Sequence, residues 1–394
     1  MISKKISSIL AVILVFLISI AVHFPYLNFP TKFTEPEIKY FNQIRNYFDH
    51  TDFELTQPPL ATLFYTFIIN MQYDTVFPYK NKIQFNIYLR IIPALLSSLI
   101  LPIITIILIL HDVPISISFL CGVILAFEPS FSALNRLFNP SSFFYFFSVL
   151  TILVSKILEK NLSNSRYYIF LQIESILTAI TICSDSSGIV ILFVLILQPN
   201  RAKIFQIKHD SKNTQNKSKI KEFWETFKYH LIYSFALFIL SIFAHIYLVS
   251  GPSNKTPVYA QFFYDISTIM IPANLSEMFT IKKLRNIYIS DNIHILNNPA
   301  ILLVIYIGAF LSFFYCENTF LIPAFASFFL AFRFKEELLW RTPFLFILLI
   351  LSLGLAMKNL SHLITNLILI SAFCCSLLFY VILFSKSYGG QIVL

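Results

Sequence analysis

What most constrains this chain is a succession of long apolar runs. They fall near residues 7–24, 89–110, 113–131, 142–157, 167–183, 187–198, 231–249, 299–315, 318–332, 343–357 and 362–385. A helix that crosses the hydrocarbon core of a bilayer needs roughly 20 apolar residues. Inside lipid every backbone polar group must be satisfied within the spanning segment, which selects helix for runs of this kind. With 57% hydrophobic and only 12% charged residues, against about 25% charge in a soluble globular domain, a water-soluble core is excluded. The expected fold class is an all-α polytopic membrane protein: one transmembrane domain over 1–394 with about eleven transmembrane helices. "LATLFYTFIINM", 60–71, is apolar but too short to span and is expected to be an interfacial helix. All five cysteines (Cys121, Cys183, Cys316, Cys374, Cys375) lie in or beside apolar runs, so no disulfide framework is expected.

Basic residues set the orientation. Lys4 and Lys5 precede the first run. Lys156, Lys160 and Arg166 follow the fourth, the stretch 199–229 holds eight Lys/Arg against three acids, and Lys358 follows the tenth. Threading eleven spans puts all of these on one side, which should be cytosolic, with a cytosolic N-terminus and a C-terminus on the opposite face. No small-residue cleavage site follows the first run, so it is expected to be a retained anchor. The first large loop, 25–88, and a shorter one, 251–298, then lie outside the cytosol, while 199–229 is a basic cytosolic loop. Two Asn-X-Ser/Thr triplets, at Asn254 and Asn274, also fall on the outer face.

The first loop contains "KFTEPEIKYFNQIRNYFDHTDFELTQPPLATLF", 32–64. Glu35, Glu37, Asp49, Asp52 and Glu54 make up a quarter of the chain's 20 acidic residues. Pro36 suits a first helical turn, and a helix is expected over 36–48 with Glu35 at its N-terminus. Arg90 opens the second span, and Arg136 lies in the turn between the third and fourth, both at the face of the acidic loop. A charge at the membrane edge is expensive unless paired or wet. Two arginines and a carboxylate at one face suit a site that holds a phosphate and offers a base, because the guanidinium fork donates two hydrogen bonds at once. The alternative is a solvated acidic loop with snorkelling arginines. The sequence has no Gly-rich phosphate loop, zinc spacing or nucleophile elbow, and no nucleic-acid partner is implied.

Further fragments follow in order. Phe33-Thr34-Glu35 is followed by Gln57-Pro58-Pro59-Leu60. "LRIIPALLSSLILP" opens the second span at Arg90, and "FEPSFSALNRLFNPSSFFYFF" carries Glu128 and Arg136. "CSDSSG" occupies 183–188, "SGPSNKTPVYAQFF" occupies 250–263, and Asn298-Pro299 enters a span. In this order the chain resembles the protein O-mannosyltransferases, C-type glycosyltransferases that use dolichyl-phosphate mannose. Their first loop reads Phe-Asp-Glu, then roughly twenty residues, then His-Pro-Pro-Leu. Several positions differ from that family. Thr34 stands where it has Asp, Gln57 where it has His, Ser141 where it has Asp and Asp185 where it has Lys. Leu339-Trp340-Arg341 replaces His-His-Tyr, and the short 251–298 loop replaces a lumenal β-trefoil domain.

The resemblance implies a C-type glycosyltransferase fold with lumenal loops, in the endoplasmic reticulum membrane. It implies transfer of mannose from dolichyl-phosphate mannose to Ser or Thr hydroxyls of lumenal polypeptides. Glu35 would be the catalytic base, with Glu37 able to take its place. Arg90, Arg136 and Arg341 would bind the donor phosphate, and Gln57, Pro58, Pro59 and Glu37 would shape the loop around the acceptor. No metal and no cofactor beyond the lipid-linked donor is expected. Expected partners are that donor, the acceptor polypeptides, membrane lipid, and a second copy or a paralogue in a dimer. Rival readings are a non-catalytic or regulatory subunit of such a complex and a glycosyltransferase using another lipid-phosphate sugar. A transporter or channel ranks last, because polar residues within the spans are few, chiefly Glu174 and His245.

Overall fold

The computed structural model describes residues 2–25, 27, 34–51, 53, 55, 57–71, 82–128, 131–132, 135–160, 167–197, 215–249, 307–313, 318–331, 338–360, 364–374 and 377–378. All regular structure among them is helical. In chain order the helices are α1 (Ile2–His23), α2 (Glu35–Asp49), α3 (Leu60–Met71), α4 (Lys82–Leu110), α5 (Ile115–Ala126), α6 (Ser141–Lys160), α7 (Tyr167–Ser184), α8 (Ile189–Leu197), α9 (Gln215–Val249), α10 (307–313), α11 (Asn318–Ala331), α12 (Leu338–Met357) and α13 (Ile364–Cys374). Each of the eleven apolar runs contains helix. Among the described residues, five stretches are long and apolar enough to cross a membrane: Lys5–His23, Ile87–Leu110, Ser141–Lys160, Tyr167–Ser184 and Phe227–Val249. The chain is a multi-pass membrane protein. The loop 251–298 and both Asn-X-Ser/Thr triplets lie outside the described residues.

Lipid explains what the helices leave uncovered. On α1, Ile6, Ile9, Leu10, Ile13 and Leu17 are all exposed and recur at helical spacing along one face. In water such a stripe would be an aggregation surface; against acyl chains it is at home. Pro93 and Pro102 sit inside α4, where membrane helices tolerate the lost backbone bond because neighbours re-satisfy it.

The chain divides into two compact units, Met1–Lys39 with Asp74–Phe146 and Pro272–Leu394, and Tyr40–Tyr73 with Phe147–Ile271. In the first, α1, α4 and α5 pack mutually, and α12 packs on α4 and α5. Close approach is possible because Gly122 of α5 has no side chain. A Cβ there would come within 2.6 Å of the Thr105 hydroxyl and 3.2 Å of Val15. In the second unit, α7 packs against α9, α3 and α8. Tyr47 donates or accepts a 2.8 Å hydrogen bond at His245 Nδ1, and Phe53 meets both rings edge-on. His245 is thus a buried imidazole with a phenol partner, tying the end of α2 to α9.

The "CSDSSG" fragment forms the corner between α7 and α8. Asp185 Oδ1 accepts the Ser187 N–H at 2.7 Å and caps a short 3-10 turn, Ser186–Gly188. A Cβ on Gly188 would meet the Thr181 carbonyl oxygen at 2.5 Å and Ile182 Cα at 2.7 Å. Both are backbone atoms and cannot rotate away. Gly188→Ala is therefore expected to destabilise the protein by about 1–3 kcal/mol, the usual cost of overpacking, in detergent-solubilised unfolding. A variant as stable as the parent would show that the corner relaxes freely.

Candidate functional site

The acidic loop enters helix through a capping box. Thr34 precedes α2, and its carbonyl accepts the Ile38 N–H at 3.0 Å. Three residues on, Glu37 reaches back, and its Oε2 accepts from the Thr34 N–H at 2.9 Å and the Thr34 hydroxyl at 3.1 Å. Thr-x-x-Glu is the sequence signature of this arrangement. The same carboxylate is fully buried and faces Arg90, also fully buried. Arg90 Nε donates to Oε1 and Nη2 to Oε2, each at 2.7 Å. Arg90 Nη1 donates to the Leu27 carbonyl at 3.0 Å. A backbone donor from a third segment completes the set: the Phe138 N–H lies 2.9 Å from Glu37 Oε1.

Ions of this size lose several kcal/mol each on leaving water, and attraction compensates only when geometry is good and the remaining lone pairs are satisfied. Here both conditions hold. The pair is bidentate, the strongest form for arginine and carboxylate, and three further donors fill the carboxylate. One side chain thereby joins the start of α2, the start of the long span α4 and the turn between α5 and α6.

That turn is itself ordered by local bonds. Glu128 is buried, and its carbonyl accepts the Ser132 N–H at 2.8 Å. Asn135 N–H reaches the Phe131 carbonyl at 3.2 Å, and the Ser97 hydroxyl of α4 donates to the Asn135 carbonyl at 3.0 Å. Asn139 then starts α6: its Oδ1 accepts the Ser141 N–H at 2.8 Å, and Pro140 fits the first turn without needing a donor. Arg136 is half-buried, and its Nη1 lies 3.4 Å from the Pro25 carbonyl beyond α1.

The structure therefore brings together Glu37, Arg90 and the Arg136-bearing turn. Glu35 opens α2 two residues before Glu37; its side chain lies outside the described residues. Arg341 is in the first turn of α12, and its side chain likewise lies outside them. Gln57, Pro58 and Pro59 belong to the second unit, where both prolines are buried and the Pro59 carbonyl accepts the Leu63 N–H at 2.8 Å as α3 begins. Arg90, expected from the sequence to bind phosphate, has its described bonds on Glu37 and Leu27. Glu37, expected to shape the loop, is the carboxylate at the centre. The sequence carried a signal for it, the Thr34-x-x-Glu37 spacing, and placed Arg90, 53 residues away, at the same face without pairing the two. Among the described residues no three His, Cys, Asp or Glu side chains gather as a metal ligand set.

The model of the dolichyl-phosphate-mannose-protein mannosyltransferase family matches residues 13–250, more than half of the chain. Among solved structures, the S. cerevisiae protein O-mannosyltransferase Pmt1-Pmt2 complex bound to the sugar donor is similar. The TM-score is 0.52 with 17% sequence identity, over 64% of this chain and 37% of the yeast chain. The chain thus spans little more than a third of the length of that relative. No curated protein sequence matches it. By the extent of the family match, the chain belongs to the dolichyl-phosphate-mannose-protein mannosyltransferase family.

Proposed function

We propose that the chain transfers mannose from dolichyl-phosphate mannose to Ser or Thr hydroxyls of polypeptides at the lumenal face of the endoplasmic reticulum membrane. The observation that carries this reading is the Glu37 knot. It fixes the segment bearing Glu35, two residues before it, and the turn bearing Arg136, two residues before Phe138. A buried, bidentate support of this kind is what a site needs to hold a base and a phosphate ligand at constant separation.

In this reading Glu35 takes the proton of the acceptor hydroxyl as its oxygen attacks C1 of the sugar. The C1–O bond to phosphate breaks, and dolichyl phosphate leaves with the bonding electrons. Arg136, with Arg341, meets the charge that develops on the phosphate. Arg90 acts from beneath by holding Glu37. The dimer partner is a second copy or a paralogue.

The test is turnover by the purified protein in lipid, with labelled dolichyl-phosphate mannose and a Thr-containing peptide. Transfer by the protein alone is expected, and Arg136→Met should lower it at least tenfold. The subunit reading draws on two features: Glu37 is saturated by hydrogen bonds, and Thr34 stands where the resemblance expects Asp. It predicts no transfer alone and transfer only when a paralogue is added. Absence of transfer under both conditions would overturn both.

A further inference from the structure

The aliphatic hydroxyls of α4, on Ser97, Ser98 and Thr105, are all buried, but they are used differently. A serine or threonine inside a helix can return its hydroxyl to a carbonyl of the preceding turn. Ser98 does so at the Leu95 carbonyl, at 2.8 Å, and Thr105 at the Leu101 carbonyl, at 3.1 Å. Ser97 donates out of the helix instead, to the Asn135 carbonyl at 3.0 Å. That oxygen belongs to the planar peptide unit that also contains the Arg136 nitrogen, so the bond holds the backbone directly before the Arg136 Cα. On the other flank, the Phe138 N–H is held at 2.9 Å by Glu37, and Glu37 is held by Arg90. Arg90 and Ser97 stand at i and i+7, close to two full turns, which puts them on one stripe of α4. Ala94 and Leu101 lie along the same stripe, and all four are fully buried. One helix thus grips the turn on both sides of Arg136.

We infer that Ser97 is a positioning residue for donor binding: through the Asn135 carbonyl it fixes the backbone from which Arg136 reaches the donor phosphate. This deepens the donor reading above and rests on its assignment of Arg136. Ser97 touches no substrate. What it sets is the place of the guanidinium, because two parallel N–H···O bonds to one phosphate demand a fixed geometry. A misplacement of about 1 Å at a positioning group can cost on the order of 100-fold.

Binding of dolichyl-phosphate mannose by the full chain in lipid nanodiscs tests this, with thermal unfolding as the check that each variant is folded. Arg136→Met is expected to weaken binding about 10- to 100-fold, the value of hydrogen bonds to a charged group. Ser97→Ala should weaken it about 5- to 20-fold, part of the Arg136 contribution. Ser98→Ala removes the same group one residue on, from a bond inside the helix, and should bind within about twofold of the parent. In an Arg136→Met background, Ser97→Ala should change binding by no more than about twofold, because the side chain it positions is gone. A serine with only a structural role would give losses that add. If Ser97→Ala does not fold, Ser97→Cys, which keeps the volume with a far weaker donor, carries the same expectation. Parent-level binding by the folded Ser97 variant, or a loss that adds to that of Arg136→Met, overturns the inference and spares the donor reading. Parent-level binding by Arg136→Met, or no donor binding by the parent, overturns the assignment of Arg136 and this inference with it.

Discussion

Glu37→Gln is expected to lower the unfolding free energy by about 3–5 kcal/mol, because it leaves the Arg90 charge buried without its counter-ion. Arg90→Met should cost a similar amount by stranding the carboxylate. The two effects should not add. In a Glu37→Met/Arg90→Met double variant neither ion is left bare, and apolar replacement of a whole buried pair is often neutral or stabilising. Some loss should remain, since the Thr34 and Phe138 N–H groups would still lack an acceptor, at about 1–3 kcal/mol for a buried donor. Arg90→Lys should behave as a damaged variant and not as a conservative one: an ammonium cannot span both carboxylate oxygens as the guanidinium fork does. Denaturant or thermal unfolding in detergent, read as a double-mutant cycle, measures the coupling directly. Single variants within 1 kcal/mol of the parent would show that the three segments are held by something other than this pair.

The same pair marks where local reading of the sequence stops. Hydropathy located helix in every apolar run, because the requirement that lipid imposes is local to each segment. It misplaced starts wherever a helix continues into polar sequence. α4 begins at Lys82, ahead of the run that opens at 89, and α9 begins at Gln215, inside the basic stretch 199–229. Helical hydrogen bonding needs no apolar side chains, so nothing in hydropathy marks those turns. The short helix at 60–71 and the helix after Pro36 were legible from length and from proline position. Asp185 illustrates a departure from family pattern with a local physical role, since its carboxylate caps the turn into α8. Pairings between distant segments were not legible. Nothing in the neighbourhood of Tyr47 points to His245, 198 residues on. The acids of the first loop stood out as a group, yet the group divides. Glu37 is committed to Arg90, whereas Asp49 makes an exposed i,i+4 pair with Arg45, worth a few tenths of a kcal/mol.

That division makes Glu35→Gln the sharper test of chemistry. Glu35 opens α2, where a carboxylate gains only about 0.3–1 kcal/mol from the helix dipole, so the glutamine variant should remain nearly as stable as the parent. If Glu35 accepts the acceptor's proton, removing its basicity should reduce turnover by about 100- to 10,000-fold, the range typical of general base catalysis. Donor affinity should barely change, because Gln keeps the shape and the proposed phosphate contact is Arg136. The loss should therefore fall on kcat and leave KM nearly intact, which marks an interaction made in the transition state alone. Glu37→Gln is the matched control: it should lose turnover together with stability, and conditions that restore its fold, such as low temperature or added donor lipid, should recover part of its activity. No such condition should rescue Glu35→Gln. A Glu35→Gln protein that transfers mannose within a few-fold of the parent would place the base on another residue.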